Sequence, residues 1–390
     1  MSEIAYGTAV IGAGMIGSAA ARYLPVGQSD RPNILIGPIE SQSSETGVYG
    51  AWFDEGRITR VFDISQTWRN LAKFSIERYR EIERESGISF FSEVGYLTVV
   101  RRDYNNMEKF QETAEILREE GYRCEYLEEK DLSVKFPYLK FPPDVVGFYQ
   151  PDKSGYLNPR SLIRAEQELA SARGVVRKQD VVVELRRIEN RFHLLLGSGE
   201  RLVCNKVLLA TGAYINISDI LQDIVPDLDL ELKLVGQTVG YIQVSEEDVL
   251  KIKTMPNIIT SYESGELDGT YILPPIQYPD GNYYIKIGHH DKFERELLSK
   301  EDVENWYRSG KGDAEAVLEF TKFIRNLIPE IQGFNVSGGC CVTSCTKDKD
   351  APLLRQVYPG LVVAGGGCGF AAKSCDEIGR IASTLLNDID

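Results

Sequence analysis

A glycine-rich segment near the N-terminus constrains the fold of this chain more than any other feature. The sequence GAGMIG at positions 12–17 follows an apolar run at 5–11, which predicts a buried strand, and precedes residues 18–24, which predict a helix. A second apolar run at 33–36 completes a strand–helix–strand unit. In such a turn the first glycine permits the bend, the second lets the backbone approach a pyrophosphate, and the third lets the helix pack on the strand. The predicted dinucleotide contacts are Gly12, Gly14, Met15, Ile16 and Gly17.

The interpretation of this turn as a nucleotide site rests on its context, because glycines also serve ordinary turns. A helix N-terminus presents unpaired N–H groups and partial positive charge to phosphates. An acidic residue about 20 positions beyond the turn would bind a ribose hydroxyl. Glu40 is the nearest candidate, and an exposed loop glutamate is the alternative reading of that position.

Length and charge bound the remaining possibilities. At 390 residues the chain is long enough for two joined domains and for burial of a large cofactor. Its formal charge of −14 disfavours nucleic acid as a partner, since that affinity rests on Lys and Arg contacts. No apolar run approaches the roughly 20 residues that span a bilayer, and residues 1–4 leave no room for a signal segment before the first strand. We therefore expect a cytoplasmic protein without membrane or nucleic-acid partners.

The cysteines and histidines do not indicate a metal site. The seven cysteines lack paired C-x-x-C spacing, and four of them lie at Cys340, Cys341, Cys345 and Cys368. With only three histidines, a metal site would have to draw on carboxylates or dispersed thiols. The sequence predicts neither a metal nor a disulfide framework.

Hydrophobic periodicity predicts helices and strands along the whole chain. Helices are predicted at 66–87, 161–172, 301–328 and from about residue 371 onward. Strands are predicted at 90–100, 145–149, 175–185, 192–196, 207–211, 234–244, 270–273, 283–287 and 361–364. The strands at 207–211 and 361–364 each run into a small-residue turn, as the first strand does. The turn at 212–213 is therefore predicted to approach the nucleotide as well.

Five segments, in this order and spacing, resemble one family of enzymes. They are VIGAGMIGSAAARYL at 10–24, GRITRVF at 56–62, YIKIGHH at 284–290, CVTSCT at 341–346 and GGGCGFAAKS at 365–374. The chain resembles the D-amino-acid-oxidase-like flavoproteins, in the branch of monomeric sarcosine oxidase, pipecolate oxidase and the fructosyl amino acid oxidases. The resemblance implies FAD as the cofactor, oxidation of a C–N bond as the reaction, and a monomer.

The predicted fold class is α/β, with a Rossmann-like FAD-binding domain interleaved with a substrate domain built on an antiparallel β-sheet with helices. The β-rich stretch at 232–290 indicates that antiparallel sheet. The FAD-binding domain is expected to comprise residues 1–85, 145–220 and 335–390, and the substrate domain residues 86–144 and 221–334.

The resemblance implies further contacts with the cofactor. Cys341, which with Thr346 matches a C-x-x-x-x-T segment, is the candidate for a thioether to the flavin 8α-methyl group. The alternatives are a thiol that packs as a small hydrophobe, and attachment at the adjacent Cys340. Thr59 and Arg60 match a Thr-Arg pair whose arginine lies against the flavin ring. The loop and helix that meet the pyrimidine end of the flavin contain Gly367, Gly369, Phe370 and Lys373.

The resemblance also assigns candidate catalytic residues. Lys286 matches a family lysine that lies over the flavin where oxygen is reduced, and a fixed cation in a dry site stabilises the anion that develops there. The alternative is an ordinary solvated lysine. Tyr271 matches a tyrosine of the substrate pocket or else is a core aromatic. Cys368 stands where the family has a histidine.

The chain departs from the sarcosine-type pattern where the substrate carboxylate is bound. An arginine and a lysine of that pattern are replaced by Asp63 and Ala371. If Asp63 lies beside the flavin, a neutral or cationic amine is preferred over a small amino acid. The alternative is that Asp63 pairs with Arg57 or Arg60 and does not meet substrate. Arg57 and Lys373 are the candidate replacement cations.

The sequence thus predicts an FAD-dependent oxidase whose partners are a small secondary amine or amino acid and molecular oxygen, and whose products are an imine and hydrogen peroxide. The expected catalytic residues are Lys286, Arg60, Tyr271 and Asp63. Two alternatives stay open: an amine dehydrogenase with a non-oxygen acceptor, and a catalytically degenerate flavin-binding protein. Retention of Lys286, Arg60 and Cys341 together favours an active oxidase.

Overall fold

Nine α-helices run through the part of the chain that the computed structural model describes, residues 4–25, 30–38, 50–289, 292–331 and 335–387. Glu40 and His290 lie outside these ranges. None of the nine helices is long and apolar enough to cross a membrane. They are α1 (Met15–Tyr23), α2 (Gln66–Ser86), α3 (Met107–Glu119), α4 (Glu129–Lys135), α5 (Pro159–Ala172), α6 (Glu246–Lys251), α7 (Lys300–Ser309), α8 (Ala314–Leu327) and α9 (Ala371–Asn387).

Twenty strands occur in the same described ranges, and they form three sheets. In chain order they are β1 (Ile4–Ile11), β2 (Ile34–Ile36), β3 (Arg57–Thr59), β4 (Phe91–Ser92), β5 (Tyr96–Arg101), β6 (Glu125–Leu127), β7 (Val145–Gln150), β8 (Gly155–Leu157), β9 (Val176–Lys178), β10 (Val182–Ile188), β11 (Arg191–Leu196), β12 (Arg201–Leu209), β13 (Lys233–Val244), β14 (Asn257–Ser261), β15 (Thr270–Gln277), β16 (Tyr283–His289), β17 (Arg295–Leu297), β18 (Val336–Cys345), β19 (Leu353–Tyr358) and β20 (Leu361–Gly365).

The first sheet has a parallel centre of five strands in the order β9-β2-β1-β12-β20. Antiparallel strands extend it, because β19 pairs with β20, and the hairpin β10-β11 joins β12 through β11. Ile11 at the end of β1 is level with Ile36 and Leu209, and Leu209 is level with Val363. The turns after these four strands therefore leave the sheet at one edge, where open α/β sheets bind their ligands. This arrangement confirms the predicted α/β fold class.

The second sheet has nine strands, in the order β17-β13-β16-β15-β14-β5-β7-β6, with β18 paired along β13. All its pairs are antiparallel except β14 with β5, which are parallel and join two distant parts of the chain. The predicted antiparallel sheet is thus present, with one parallel junction that the sequence does not reveal. β7 and β18 lie in segments assigned above to the FAD-binding domain, although they pair within this second sheet. The domain boundaries stay a prediction.

The third sheet is small, and it positions the Thr-Arg segment. Its three strands have the order β3-β8-β4, and Thr59 at the end of β3 is paired with Gly155 of β8. Thr59 is fully buried there. The loop after β3 carries Arg60 and Asp63 and leads into α2, which begins at Gln66.

Glycines in the left-handed conformation divide two elements that the sequence predicts as continuous. The predicted helix at 301–328 is two helices, because Gly310 ends α7 with φ +64° and Asp313 caps α8 through its side chain. The predicted strand at 90–100 is likewise divided into β4 and β5, with Gly95 at φ +87° between them. In both places the glycine permits a change of direction that other residues resist.

The last helix closes the structure against the first. α9 packs on α1 and on α2, and a Cβ on Gly379 would lie 2.6 Å from the backbone nitrogen of Ala20. Only a glycine allows helices to approach this closely. The loop at 365–369 that precedes α9 is thereby held beside the turn that precedes α1.

Candidate active site

The first glycine turn has the geometry that its sequence predicts. Gly12 has φ +106°, and a Cβ there would lie 2.4 Å from the carbonyl oxygen of Ala210. A Cβ on Gly17 would lie 1.8 Å from the carbonyl oxygen of Gly12, so only glycine lets α1 start this close to β1. Gly14 precedes α1 and supplies no side-chain cap to its first turn. The N–H groups of that turn are therefore available to a phosphate.

A cavity of about 970 Å³ lies at the edge of the first sheet where the parallel strands end. This volume is near the upper end of the roughly 300–1,000 Å³ typical of small-molecule and cofactor sites. The cavity extends from the first glycine turn to the beginning of α9. Its wall includes residues 11–16, 36–38, 50–52, 180–185, 210–214, 341–344, 364–369 and 371–372.

Three hydroxyl groups of this wall are buried without a hydrogen-bond partner among the described residues. They are Oγ1 of Thr211, Oγ1 of Thr343 and Oγ of Ser344. A buried hydroxyl without a partner is costly, so such groups mark places where a bound molecule completes the hydrogen bonding. Together with the free N–H groups of α1, they fit an elongated ligand that carries phosphates at one end and polar ring atoms at the other.

Four side chains near the cavity lie on one face of the second sheet. Lys286 is directly opposite Tyr241, and Tyr271 is directly opposite Gly288, two residues beyond Lys286. Cys341 is opposite the residue of β13 that precedes Tyr241 by four positions. Alternate residues of a strand share a face, so all four side chains lie on one side of the sheet. Gly288 is required because a Cβ there would lie 2.2 Å from the ring of Tyr271.

Lys286 is buried and fully engaged, not solvated. Its side chain is 1% exposed, Nζ donates to the carbonyl oxygen of Gly56 at 2.8 Å, and Nζ lies 2.6 Å from Oδ2 of Asp54. The ammonium is also 5.9 Å from the centre of the Tyr271 ring. Burial and the adjacent Arg57 lower the pKa of Lys286 to about 8, although Asp54 opposes that shift.

Asp54 is the centre of a polar cluster that the sequence analysis does not anticipate. Its carboxylate accepts hydrogen bonds from Tyr278 at 2.7 Å and from Tyr241 at 3.3 Å, and it pairs with Arg57 as well as with Lys286. Burial alone would raise the pKa of Asp54, but Lys286 and Arg57 outweigh it and hold that pKa below its ordinary value. The cluster contains two cations and one anion, so it carries net positive charge.

The structure separates the adjacent thiols Cys340 and Cys341. Cys341 lines the cavity, and its Sγ lies 3.9 Å from Nη2 of Arg57. Trp306 holds the strand in place by donating from Nε1 to the carbonyl oxygen of Cys341 at 3.0 Å. Cys340 faces the other side of the sheet, where its sulfur accepts from the backbone N–H of Gly312 at 3.1 Å. Only Cys341 of this pair lies on the cavity wall.

Asp63 is enclosed by two cations instead of facing the cavity. Its Oδ2 lies 2.7 Å from Nη1 of Arg60 and 2.6 Å from Nζ of Lys373, and its Oδ1 accepts from the backbone N–H of Ser65 at 3.1 Å. Burial would raise the pKa of Asp63, but Lys373 and Arg60 outweigh it and lower that pKa. This is the internal pairing described above as the alternative for Asp63, with Lys373 as an additional partner. We call Arg60, Asp63 and Lys373 the buried triad.

The predicted site residues are distributed between the cavity wall and the layer behind it. Ala371, at the position of the family lysine, lies on the wall beside Ala372, so this part of the wall is apolar. The other predicted residues that line the cavity are Gly12, Gly14, Met15, Ile16, Cys341, Gly367 and Gly369. Those that do not line it are Gly17, Thr59, Arg60, Asp63, Tyr271, Lys286, Phe370 and Lys373. The predicted turn at 212–213 does reach the wall.

Several wall residues carry no signal in the sequence. Residues 181–185 enter the wall because β10 lies at the end of the first sheet, and nothing in that apolar stretch distinguishes it from any other strand. Trp52 and Arg57 also line the cavity. The sequence indicates Arg57 only as a candidate replacement cation, through its position next to the glycine of GRITRVF.

The fold and this cavity are typical of dinucleotide-binding proteins, with a glycine turn and open N–H groups at one end and buried charged groups at the other. The chain belongs to the FAD dependent oxidoreductase family, whose sequence profile matches residues 8–385. It is therefore an FAD-dependent oxidoreductase, as the resemblance implies. The glycine turn, the open N–H groups of α1 and the unpaired hydroxyls of the wall fit FAD.

Solved structures of low sequence identity share this fold. NikD, described as an unusual amino acid oxidase essential for nikkomycin biosynthesis, is 20% identical with a TM-score of 0.78, over 99% of this chain and 94% of that one. L-proline dehydrogenase from P. horikoshii is 18% identical with a TM-score of 0.77, over 99% and 94%. Glycine oxidase from Geobacillus kaustophilus is 17% identical with a TM-score of 0.71, over 99% and 95%. A search of curated proteins finds no match.

Proposed function

We propose that this chain is an FAD-dependent oxidase that acts on the C–N bond of a small secondary amine or amino acid. The amine loses two electrons and two protons overall and becomes an imine, and molecular oxygen gains them and becomes hydrogen peroxide. When bound, FAD supplies the ring that accepts the electrons and passes them on. NikD and glycine oxidase, which share the fold, are named for action on amino acids.

The observation that carries the proposal is the buried ammonium of Lys286, on the same sheet face as Cys341 and Tyr271. Burying a cation is costly, so a chain retains one where its charge is used or is compensated. Lys286 and Arg57 both pair with Asp54, whose single negative charge balances only one of their two positive charges. One unit of positive charge therefore stays unbalanced. A site that excludes water and keeps positive charge favours chemistry in which negative charge develops.

Within this proposal, each part of the chain has a defined role. The first turn of α1 binds the pyrophosphate through its N–H groups, and the hydroxyls of Thr211, Thr343 and Ser344 complete hydrogen bonds to polar atoms of the cofactor. Lys286 stabilises the charge that develops on oxygen when it accepts its first electron. Its bonds to Asp54 and to the carbonyl oxygen of Gly56 fix the ammonium in place before oxygen arrives.

Covalent attachment of the flavin at Cys341 is part of the proposal. The thiol lies on the cavity wall, and the guanidinium of Arg57 lies 3.9 Å from its sulfur. Cys340 is excluded from this role in the proposal because it lies on the opposite face of β18.

The proposed substrate binds without the two-cation carboxylate clamp of the sarcosine-type pattern. Asp63 is neutralised inside the buried triad, and Ala371 offers only a methyl group at the wall. The triad contains two cations and one anion, but none of its three residues lines the cavity, so it offers neither a carboxylate nor an amine a direct contact at the wall. We propose an amine or amino acid recognised chiefly through its apolar substituent, with sarcosine as a poor substrate.

Oxygen consumption and peroxide release test the proposed function. Purified protein loaded with FAD is mixed in air with sarcosine, pipecolate, proline and N-alkyl amines whose tails carry no charge, and oxygen and peroxide are measured together. We expect peroxide equal to the oxygen consumed, with larger apolar substrates turned over faster than sarcosine. Efficient turnover of sarcosine would overturn the proposed substrate preference. Absence of peroxide with every amine would overturn the proposed oxidase.

A second candidate function is an amine dehydrogenase that passes its electrons to a non-oxygen acceptor. The observation in its favour is the 2.6 Å pairing of Lys286 with Asp54, because a carboxylate at that distance weakens the field of the ammonium. The shared fold with a protein named L-proline dehydrogenase agrees with it. Amine-dependent reduction of a dye in the absence of oxygen, without peroxide formation in air, would establish this function instead.

A further inference from the structure

Two cysteines that the proposed reaction does not use meet at the cavity wall. Cys345 ends β18, and its backbone forms an antiparallel bridge with Gly367. Cys368, the next residue, donates its backbone N–H to the carbonyl oxygen of Ser344 at 2.9 Å. Both side chains are largely buried, at 5% and 8% exposure, and Cys368 lines the cavity. The bridge therefore holds the two thiols against each other.

The two thiols differ in their hydrogen bonding. Cys345 and Cys368 pack in one buried cluster, and hydrogen bonding between the two thiols lowers the pKa of Cys368 while raising that of Cys345. The sulfur of Cys368 also lies 3.3 Å from the backbone nitrogen of Thr346, which donates to it, and 3.3 Å from the Thr346 hydroxyl. The Cys368 thiol itself donates to the carbonyl oxygen of Gly366 at 3.1 Å. The backbone N–H of Thr346 and the thiol of Cys345 favour negative charge on the Cys368 sulfur, whereas the carbonyl oxygen of Gly366 opposes it.

The backbone holds Cys368 in a conformation that cysteine rarely adopts. Its φ is +51°, and it stands between Gly366 and Gly369, with φ of +61° and +81°. A residue with a Cβ is strained in this region, and such strain persists only where the surroundings fix it. Cys368 in this conformation both lines the cavity and packs in one cluster with Cys345.

We propose that Cys345 and Cys368 form a peroxide-sensitive dithiol, with Cys368 as the attacking sulfur and Cys345 as the resolving one. Hydrogen peroxide is the oxidant, and the inference rests on the proposed function for its supply inside the cavity. The sulfur of Cys368 attacks one peroxide oxygen, the O–O bond breaks, and water leaves, which gives a sulfenic acid. The sulfur of Cys345 then attacks that sulfur, the S–O bond breaks, and a second water leaves, which gives a disulfide.

The disulfide would tie β18 to the loop at 365–369. β18 carries Cys341, and the loop forms the adjacent part of the wall. Oxidation would also remove the thiol of Cys368 from the cavity wall. The disulfide would thus form in response to the peroxide that the site releases, and a thiol reductant would convert it back to two thiols.

Mass spectrometry of the FAD-loaded protein tests the dithiol without reference to enzyme activity. The reduced protein is treated with one equivalent of hydrogen peroxide in the absence of amine, the free thiols are alkylated, and peptides are mapped. We expect a peptide pair joined through Cys345 and Cys368, lighter by two hydrogen atoms, and its loss on addition of dithiothreitol. Cys124 and Cys204, which are buried elsewhere, serve as internal controls and should stay alkylatable.

Two variants assign the roles. In Cys345→Ser, Cys368 should stop at the sulfenic acid and be trapped by dimedone, whereas in Cys368→Ser, Cys345 should stay reduced. Oxidation of Cys340 or Cys375 in place of this pair, or no cross-linked peptide in the wild-type protein, would overturn the proposal. The wild-type map decides the question even if a variant does not fold.

A second arm separates this inference from the proposed function. The cross-link is measured after turnover with an amine in air instead of with added peroxide. A cross-link from added peroxide but not from turnover supports the dithiol and counts against the oxidase. Peroxide release during turnover without a cross-link under either treatment supports the oxidase and overturns the dithiol.

Discussion

The ammonium of Lys286 lies 2.6 Å from the carboxylate of Asp54, and both side chains are at most 2% exposed. Arg57 pairs with the same carboxylate oxygen as Lys286, and the hydroxyl of Tyr278 donates to the other oxygen at 2.7 Å. The charge of Lys286 therefore depends on a residue that the motif around the lysine does not contain. Variants of this pair test the proposed reaction with oxygen and its pH dependence.

Replacement of Lys286 by methionine should slow the oxidation of reduced flavin by oxygen about a hundredfold, which corresponds to roughly 3 kcal/mol for one preorganised electrostatic contact. Reduction of the flavin by the amine should change much less, because the charge is required only when oxygen becomes an anion. Stopped-flow measurement of the two half-reactions checks this. Equal slowing of both would show that Lys286 serves binding or folding instead.

The rate of flavin oxidation by oxygen should fall as the pH rises through about 8, the pKa of Lys286 in the folded protein. Asp54→Asn removes a charge that raises this pKa, while burial and Arg57 continue to lower it. The fall should therefore move to lower pH in Asp54→Asn. Asp280→Asn, on an exposed turn, is the matched control and should leave the profile unchanged. A profile that stays fixed in Asp54→Asn would exclude Lys286 as the titrating group.

Wild-type protein precipitated with acid should retain its yellow colour, because a thioether at Cys341 survives unfolding. Cys341→Ser should release all flavin into the supernatant, whereas Cys340→Ser should retain it. The two sulfurs lie on opposite faces of β18, so the second variant is a control that differs by one position. Flavin retained by Cys341→Ser would place the attachment elsewhere, and flavin released by the wild type would leave Cys341 as a packing thiol.

Asp63→Asn should lower the free energy of unfolding by about 3 kcal/mol, since it leaves the buried ammonium of Lys373 and the guanidinium of Arg60 without their shared anion. Asp63→Asn combined with Lys373→Met should recover part of this loss, because one uncompensated cation is then absent. Denaturant unfolding of the FAD-free proteins measures both changes. A double variant no more stable than the single one would show that the loss of Asp63 does not leave Lys373 as a destabilising buried charge.

The glycine turn is predictable from sequence because each of its requirements is local. The tight bend at Gly12 and the packing of α1 on β1 at Gly17 involve neighbours in one short segment and the strand beside it. Periodicity likewise locates α2, which ends at Gly87 with φ +71° as its sequence indicates. The α/β fold class and a dinucleotide site follow from this segment, whereas FAD as the cofactor follows from the resemblance carried by all five segments.

Strand β18 shows why other elements escape prediction. Its glycines weaken any strand pattern, yet each is required by a contact with another part of the chain. A Cβ on Gly338 would lie 1.9 Å from the carbonyl oxygen of Lys311, and one on Gly339 would lie 2.6 Å from the ring of Tyr241. These requirements exist only once the sheet has formed.

The charged partners of the site are hidden for the same reason. Asp63 and Lys373 are 310 positions apart, and no spacing rule relates them. The family pattern locates Lys286 but gives no reason to expect Asp54 beside it. Sequence comparison thus identifies the residues that differ from the pattern, and only their packing reveals how their charges are balanced.

Because β20 and α9 lie late in the chain, the cavity can form only after these two elements have been synthesised. The wall at 364–369 and the helix behind it are the last described parts of the chain to be synthesised, whereas the turn they face is among the first. A nascent chain therefore exposes the glycine turn at 12–17 long before it has the complete cavity. The cavity has all its walls only on a chain that extends through α9. Translation that stops before β20 yields a protein that lacks one wall of this pocket.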